Sequence, residues 1–160
     1  MEYQNVLVLT DFSKDSDEAV KAAVDFAKKY NSSMTILNVV RDTYNLTYVL
    51  SDSEYHQLER KLEKHAGEQF DEMEAAIPEL TEIGYKRKVR KGTPYISCLY
   101  EIDNGDYDLV FAGSHGRSDL KKGIMGSTAE KVLRRPCVPS VRMASVLAQS
   151  PSLSACQVCV

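Results

Sequence analysis

Three glycines in the C-terminal half of the chain have a spacing that could hold a phosphate group. Gly113 and Gly116 follow an apolar run, and Gly126 precedes Ser127, where a helix-like segment begins. Glycine lets backbone N–H groups approach an anion without a Cβ in the way, and a helix N-terminus adds unsatisfied donors. The pattern therefore predicts a phosphate-binding loop between a buried strand and a helix.

The first part of this pattern has an alternative interpretation. Gly-Ser-His-Gly at residues 113–116 is also typical of an ordinary exit from a strand into a loop. Gly126, the hydroxyl of Ser127 and the flanking strand and helix together favour the phosphate loop. The spacing is neither that of a P-loop, which needs Gly-Lys-Ser/Thr, nor that of a Rossmann fingerprint, whose glycines lie closer together.

The elements that must position this loop alternate between strand-like and helical patterns. Strands are predicted at residues 5–10, 34–40, 83–89, 106–112 and 138–141, and helices at residues 15–29, 52–77, 94–102 and 127–134. This alternation predicts a single-domain α/β fold, an open parallel five-stranded sheet with helices on both faces, joined by right-handed crossovers. The predicted inner positions of the long second helix are Leu58, Leu62, Phe70, Met73 and Ile77. The short helix that follows is predicted to run through Ile96, Leu99, Tyr100 and Ile102.

Candidate binding groups lie at the carboxyl ends of three predicted strands. Thr10 and Asp11 follow the first strand, Val39 and Val40 end the second, and Gly113 follows the fourth. Ligands of open parallel sheets bind beyond these ends, where the strand order reverses, so we expect the three segments to converge. Asp11 has an alternative role as a cap or turn carboxylate for the helix that follows it.

At these residues the chain resembles the universal stress protein family. Residues 110–135 match that family's Gly-x2-Gly-x9-Gly-Ser/Thr signature for ATP, and residues 5–13 are similar to its opening strand and Thr-Asp turn. The resemblance covers residues 4–135. It implies a doubly wound, Rossmann-like sheet of the adenine-nucleotide alpha-hydrolase-like type.

The resemblance also implies a set of ATP contacts. Thr10, Asp11 and Val40 would line the nucleoside end, Gly113, His115 and Gly116 would hold the ribose and first phosphates, and Gly126, Ser127 and Thr128 would hold the outer phosphates. Mg²⁺ is a possible companion of ATP, because phosphates and a few carboxylates or waters usually hold it. Arg117, Lys121 and Lys122 either screen the phosphate charge or only keep an exposed loop hydrated.

The function that follows is that of a cytoplasmic, nucleotide-dependent stress-response sensor or regulator, and at most a slow ATPase. No Walker lysine, assignable arginine finger or poised base indicates fast catalysis. Two alternatives remain open: a nucleotide-free dimeric interaction module of the same fold, and an adenylating or nucleotidyl-transfer enzyme. The enzyme would usually need a second domain.

Composition and charge exclude other classes. The 160 residues carry a formal net charge of −3, and the basic run at residues 85–91 fits the solvated edge of a strand better than a nucleic-acid surface. No apolar stretch is long enough for a membrane span, and no signal peptide is recognisable at the N-terminus. Four scattered cysteines fit a reducing compartment, and Cys156 and Cys159 lack the partners of a zinc or redox site.

The C-terminal end departs from the family pattern. Pro139 lies where the resemblance implies an edge strand that pairs in a homodimer, so we expect a weakened dimer. Residues 144–160 carry no charge, which suggests a shifted reading frame or a non-native extension. The predicted division is therefore a domain at residues 1–143 and an atypical tail at residues 144–160.

Overall fold

The computed structural model describes residues 3–43, 48–113, 127–133 and 142–146. Within these ranges strands and helices alternate, with one additional short helix between the second and third strands. The strands are β1 (Asn5–Thr10), β2 (Ser33–Arg41), β3 (Lys86–Gly92), β4 (Leu109–Gly113) and β5 (Arg142–Val146). The helices are α1 (Lys14–Tyr30), α2 (Asp52–Ala76), α3 (Glu79–Ile83), α4 (Pro94–Asn104) and α5 (Ser127–Leu133).

The strands form one sheet in the order β3-β2-β1-β4-β5, and every neighbouring pair is parallel. The prediction of an α/β fold with a parallel sheet is confirmed. From β1 the chain first builds outward through β2 to β3, and then crosses to β4 on the other side. The strand order therefore reverses between β1 and β4, which is where such sheets bind ligands.

Apolar side chains of β1 point alternately to two faces of the sheet, because successive residues of a strand point to opposite sides. Val6 and Val8 pack with α1, α2 and α3, whereas Leu7 and Leu9 pack with α4 and α5. Both faces are covered, which explains why this strand reads as a continuous apolar run rather than an alternating one.

Helix ends follow local signals, of which sequence reasoning found some. Ser13 caps α1, and Asn31 ends it with a left-handed φ of 54°. Ser51 and Glu54 form a capping box at the start of α2, which was not predicted from the sequence. At the other end, α2 ends at Ala76 with Ile77 as its C-cap, directly before Pro78, which was predicted to stop the helix. Ile83 was expected in the third strand but ends α3, because Gly84 then turns the chain with a φ of 66° before β3 begins at Lys86.

On two helices, some of the apolar residues named from the sequence are only partly buried. Ile96 and Tyr100 are about half exposed, whereas α4 turns Ser97, Cys98 and Glu101 to the sheet because Glu101 pairs with two cations of β3. Leu58 of α2 is only half-buried, as is Leu62. They lie in the part of α2 that precedes its buried residues Ala66, Phe70 and Met73.

The last strand lies C-terminal to its predicted position. β5 spans Arg142–Val146 and pairs with β4 from Leu109 to Gly113, while residues 134–141 lie outside the described residues. Pro139 therefore precedes β5 instead of interrupting it, in accord with the missing N–H donor of proline. The strand crosses from the predicted domain into the first residues of the predicted tail.

Candidate functional site

A cavity of about 580 Å³ opens at the carboxyl ends of β1, β2 and β4. Its volume lies within the range of small-molecule sites, and it occupies the place where the strand order reverses. The lining residues come from all three strand ends and from four helices. They are Leu9, Thr10, Asp11, Phe12, Ser16, Leu37, Asn38, Val39, Val40, Arg41, Leu62, His65, Ala66, Gln69, Pro94, Cys98, Ala112, Gly113, Thr128 and Ala129.

Five of the predicted site residues meet at this cavity: Thr10, Asp11, Val40, Gly113 and Thr128. Ser127 is the first residue of α5, adjacent to Thr128. The other three predicted contacts, His115, Gly116 and Gly126, lie outside the described residues, as do Arg117, Lys121 and Lys122. The predicted convergence of the three strand ends is therefore observed, and the predicted phosphate loop itself stays a prediction.

Hydrogen bonds hold the β1–α1 turn in one conformation. Thr10 Oγ1 accepts from the backbone N–H of Phe12 at 3.0 Å and lies 3.1 Å from Ser16 Oγ. Asp11 Oδ1 accepts from the backbone N–H of Ser13 at 3.1 Å, and Ser13 Oγ accepts from the N–H of Ser16 at 3.3 Å. The helix cap is thus Ser13, while Asp11 closes an Asx turn and also lines the cavity.

Phe12 has an unusual backbone conformation at the edge of the cavity. Its φ of 58° lies in the left-handed region, which costs a bulky residue about 1–3 kcal/mol. Its ring packs edge-to-face on Phe70 of α2, with the ring centroids 5.1 Å apart. The ring contact and the flanking hydrogen bonds offset the strain.

Asn38 is a site residue that sequence reasoning missed. It is buried on β2, beside Thr10 in the sheet register, and its Nδ2 donates to the Thr10 carbonyl at 3.0 Å. A buried polar side chain in an apolar strand was the available signal, because such a group needs a partner. This bond fixes the end of β1 against β2 at the cavity.

Gly113 has a structural reason to be glycine besides the predicted approach of phosphate. A Cβ there would lie 2.8 Å from the carbonyl carbon of Asp15 and 2.8 Å from the N atom of Ser16. Both atoms belong to the rigid first turn of α1. The end of β4 therefore touches the start of α1, and this contact requires the missing side chain.

A second wall of the cavity comes from α2, to which the sequence analysis assigned no site residue. Leu62 and Ala66 supply apolar surface, while His65 and Gln69 supply polar groups. Their spacing of three and four residues places them on one helix face. This stripe overlaps the predicted inner face of α2, so its periodicity was read only as core packing.

Cys98 of α4 contributes a buried thiol to the lining. Its side chain is buried, and burial, aided by the charge of Glu101, raises the pKa of the thiol to about 12. The thiolate is the reactive form of cysteine. Cys98 therefore acts at this site as a small apolar group.

Comparisons with known proteins agree with this architecture. The model of the universal stress protein family matches residues 2–141. Universal stress protein MJ0577 of Methanocaldococcus jannaschii is 26% identical over 149 residues, which cover 86% of this chain and 92% of that protein. A putative universal stress protein of Staphylococcus haemolyticus, SH1215, is 24% identical over 137 residues, with 84% and 81% covered.

Solved structures show the same fold. Universal stress protein UspA from Lactobacillus plantarum superposes with a TM-score of 0.73 at 22% identity, over 91% of this chain and 99% of that one. A universal stress protein in complex with cAMP gives a TM-score of 0.56 at 22% identity, over 91% and 98%. With its family match, its parallel sheet and its cavity at the switch point, the chain belongs to the universal stress protein family.

Proposed function

We propose that the chain binds ATP in the cavity at the carboxyl ends of β1, β2 and β4. The observation that carries this proposal is that Thr10, Asp11, Val40, Gly113 and Thr128, from four separate segments of the chain, converge around one cavity of about 580 Å³. The sheet would then be of the doubly wound, adenine-nucleotide alpha-hydrolase-like kind.

The chemistry of the lining fits the nucleoside part of this ligand. Leu9, Leu37 and Val39 offer an apolar surface for a base, and the Asp11 carboxylate offers an acceptor for ribose hydroxyls or an exocyclic amine. The cAMP complex of a protein with this fold supports an adenine nucleotide as the ligand class. Gly116, Gly126 and Ser127 would complete the phosphate end, with Mg²⁺ on the phosphates.

In biological terms the proposal is a cytoplasmic, nucleotide-dependent regulator of a stress response. Arg41 and His65 are the basic residues among the described lining residues, so we propose at most slow ATP hydrolysis.

We further propose a domain at residues 1–143, a tail at residues 144–160 and a homodimer. Because Pro139 lies before β5 in the sequence, it removes no N–H donor from that strand. Any weakening of the dimer by Pro139 would then arise from the segment that precedes β5. No helix within the described ranges combines the length and apolar character needed to cross a bilayer.

The experiment that tests ATP binding separates the two roles of Asp11. Asp11→Asn keeps an oxygen that can accept from Ser13 N–H, so the turn stays intact, but it removes the negative charge and one acceptor at the cavity. We expect weaker ATP binding by isothermal titration calorimetry and a nearly unchanged unfolding temperature. Asp25→Asn, at an exposed position of α1 away from the lining, is the matched control and should bind like the wild type.

Two outcomes would contradict the proposal. Wild-type protein that binds neither ATP nor cAMP would favour the nucleotide-free interaction module. Equal ATP affinity of Asp11→Asn and the wild type would return Asp11 to a turn residue only. Mass spectrometry of any ligand that copurifies with the chain would identify that ligand. Measurement of phosphate release would distinguish a sensor from an enzyme.

A further inference from the structure

Phe12 couples the two walls of the cavity. It lies in the β1–α1 turn between Asp11 and Ser13, and it lines the cavity itself. Its backbone adopts a left-handed φ of 58°, which glycine would adopt without strain. A bulky side chain at such a position persists only where its surroundings over-determine the conformation.

The surroundings that do so belong to α2. The Phe12 ring stands perpendicular to that of Phe70, with an interplanar angle of 89°, and Phe70 is 1% exposed in the core. Phe70 directly follows Gln69 and lies one helical turn after Ala66, and both of these α2 residues line the cavity. The ring contact therefore joins the turn that carries Asp11 to the helix that forms the second wall.

Two hydrogen bonds from backbone N–H groups to side-chain oxygens fix the turn around Phe12. The Phe12 N–H donates to Thr10 Oγ1, and the next N–H, of Ser13, donates to the Asp11 carboxylate. If the backbone of Phe12 left the left-handed region, the peptide plane that carries the Ser13 N–H would rotate relative to Asp11. The Asp11 carboxylate would then lose its hydrogen bond from Ser13.

We infer that Phe12 is a positioning residue of the nucleotide site, which through its ring on Phe70 holds the Asp11 carboxylate in register with the α2 wall. The inference rests on the proposed ATP binding and assigns to that site a residue that contributes no polar group. Phe12 acts on the ligand through Asp11.

The test is a double-mutant cycle on ATP affinity with Phe12→Gly, Asp11→Asn and the double variant. Phe12→Gly removes the ring yet permits the same φ, so the chain folds without backbone strain. We expect about tenfold weaker ATP binding for Phe12→Gly and a coupling factor of similar size in the cycle, which lies within the range for residues in contact. Asp11→Asn should weaken binding in the wild-type background and add little in the Phe12→Gly background.

A matched control is Phe26→Leu, which removes an aromatic contact with Phe111 from the same core cluster but does not line the cavity. It should lower the unfolding temperature and leave ATP affinity unchanged. Wild-type affinity of Phe12→Gly, or an equal factor for Asp11→Asn in both backgrounds, would overturn this inference alone. Absence of ATP binding by the wild type would overturn the proposed function and this inference with it.

Discussion

The two faces of the sheet are stabilised in different ways. On the aromatic face, covered by α1, α2 and α3, rings meet edge-to-face: Phe12 with Phe70 at 5.1 Å and Phe26 with Phe111 at 5.6 Å. On the ionic face, covered by α4 and α5, a carboxylate of α4 is buried between that helix and β3. Glu101 is 2% exposed there and accepts from Lys88 and Arg90 at 2.6 Å each and from the Tyr107 hydroxyl at 2.7 Å.

This difference shows how a basic edge strand can still contribute to a core. Lys88 and Arg90 of β3 reach under α4, while Arg87 pairs with Asp71 and Glu74 of α2. Their charged ends remain partly in water, so the desolvation penalty falls mainly on Glu101. The aromatic face depends on shape and area, whereas the ionic face depends on donors being in place.

The largest effect is expected on the aromatic face. Phe70→Ala should lower the free energy of unfolding by about 3–5 kcal/mol, because it leaves a cavity beneath α2 and removes the contact with Phe12. Urea denaturation at neutral pH measures it. A cost below about 1 kcal/mol would mean that the face collapses around the vacancy, and its packing would then be less specific than its ring geometry indicates.

A smaller loss is expected on the ionic face. Glu101→Gln should cost about 2 kcal/mol, since it keeps the shape but removes charge-assisted bonds to Lys88 and Arg90. Glu82→Gln is the control, because Glu82 forms an exposed ion pair with Lys28 and should cost at most about 0.5 kcal/mol. Equal urea midpoints for the two variants would show that burial of Glu101 adds nothing.

Acid should weaken the ionic face selectively. Burial acts to raise the pKa of Glu101, but bonds from Lys88, Tyr107 and Arg90 together hold the pKa below its ordinary value of 4.5. A lowered carboxyl pKa gives stability that is present above the ordinary value and is lost as pH falls through the folded one. The wild type should therefore lose more unfolding free energy than Glu101→Gln below about pH 4.5, and parallel pH profiles would contradict this.

The smallest effect concerns Cys98, where the ionic face meets the cavity. With a pKa raised to about 12 and a buried side chain, its thiol should react with iodoacetamide at neutral pH far more slowly than in urea-unfolded protein. Peptide mapping by mass spectrometry distinguishes it from the other cysteines. Rapid native labelling would show that α4 opens on that face.

The sequence predicted those residues of the candidate site that depend on local signals. Thr10, Val40 and Gly113 were predicted to converge because each ends a strand, and carboxyl ends of parallel strands share one edge of the sheet. It missed the α2 wall, because Leu62 and Ala66 have the same periodicity whether they face a core or a cavity. It also placed the last strand at residues 138–141, whereas β5 begins after Pro139.

By itself the sequence determined the alternation of strands and helices, the buried character of β1 and the family signature, because periodicity, caps and glycine spacing are properties of neighbouring residues. Only the tertiary structure decided that Phe12 would be held in a left-handed conformation by Phe70, and that Glu101 would be buried beneath two cations of β3. These contacts join segments far apart in the chain. Their energies depend on distance and burial, which emerge only when the helices pack on the sheet.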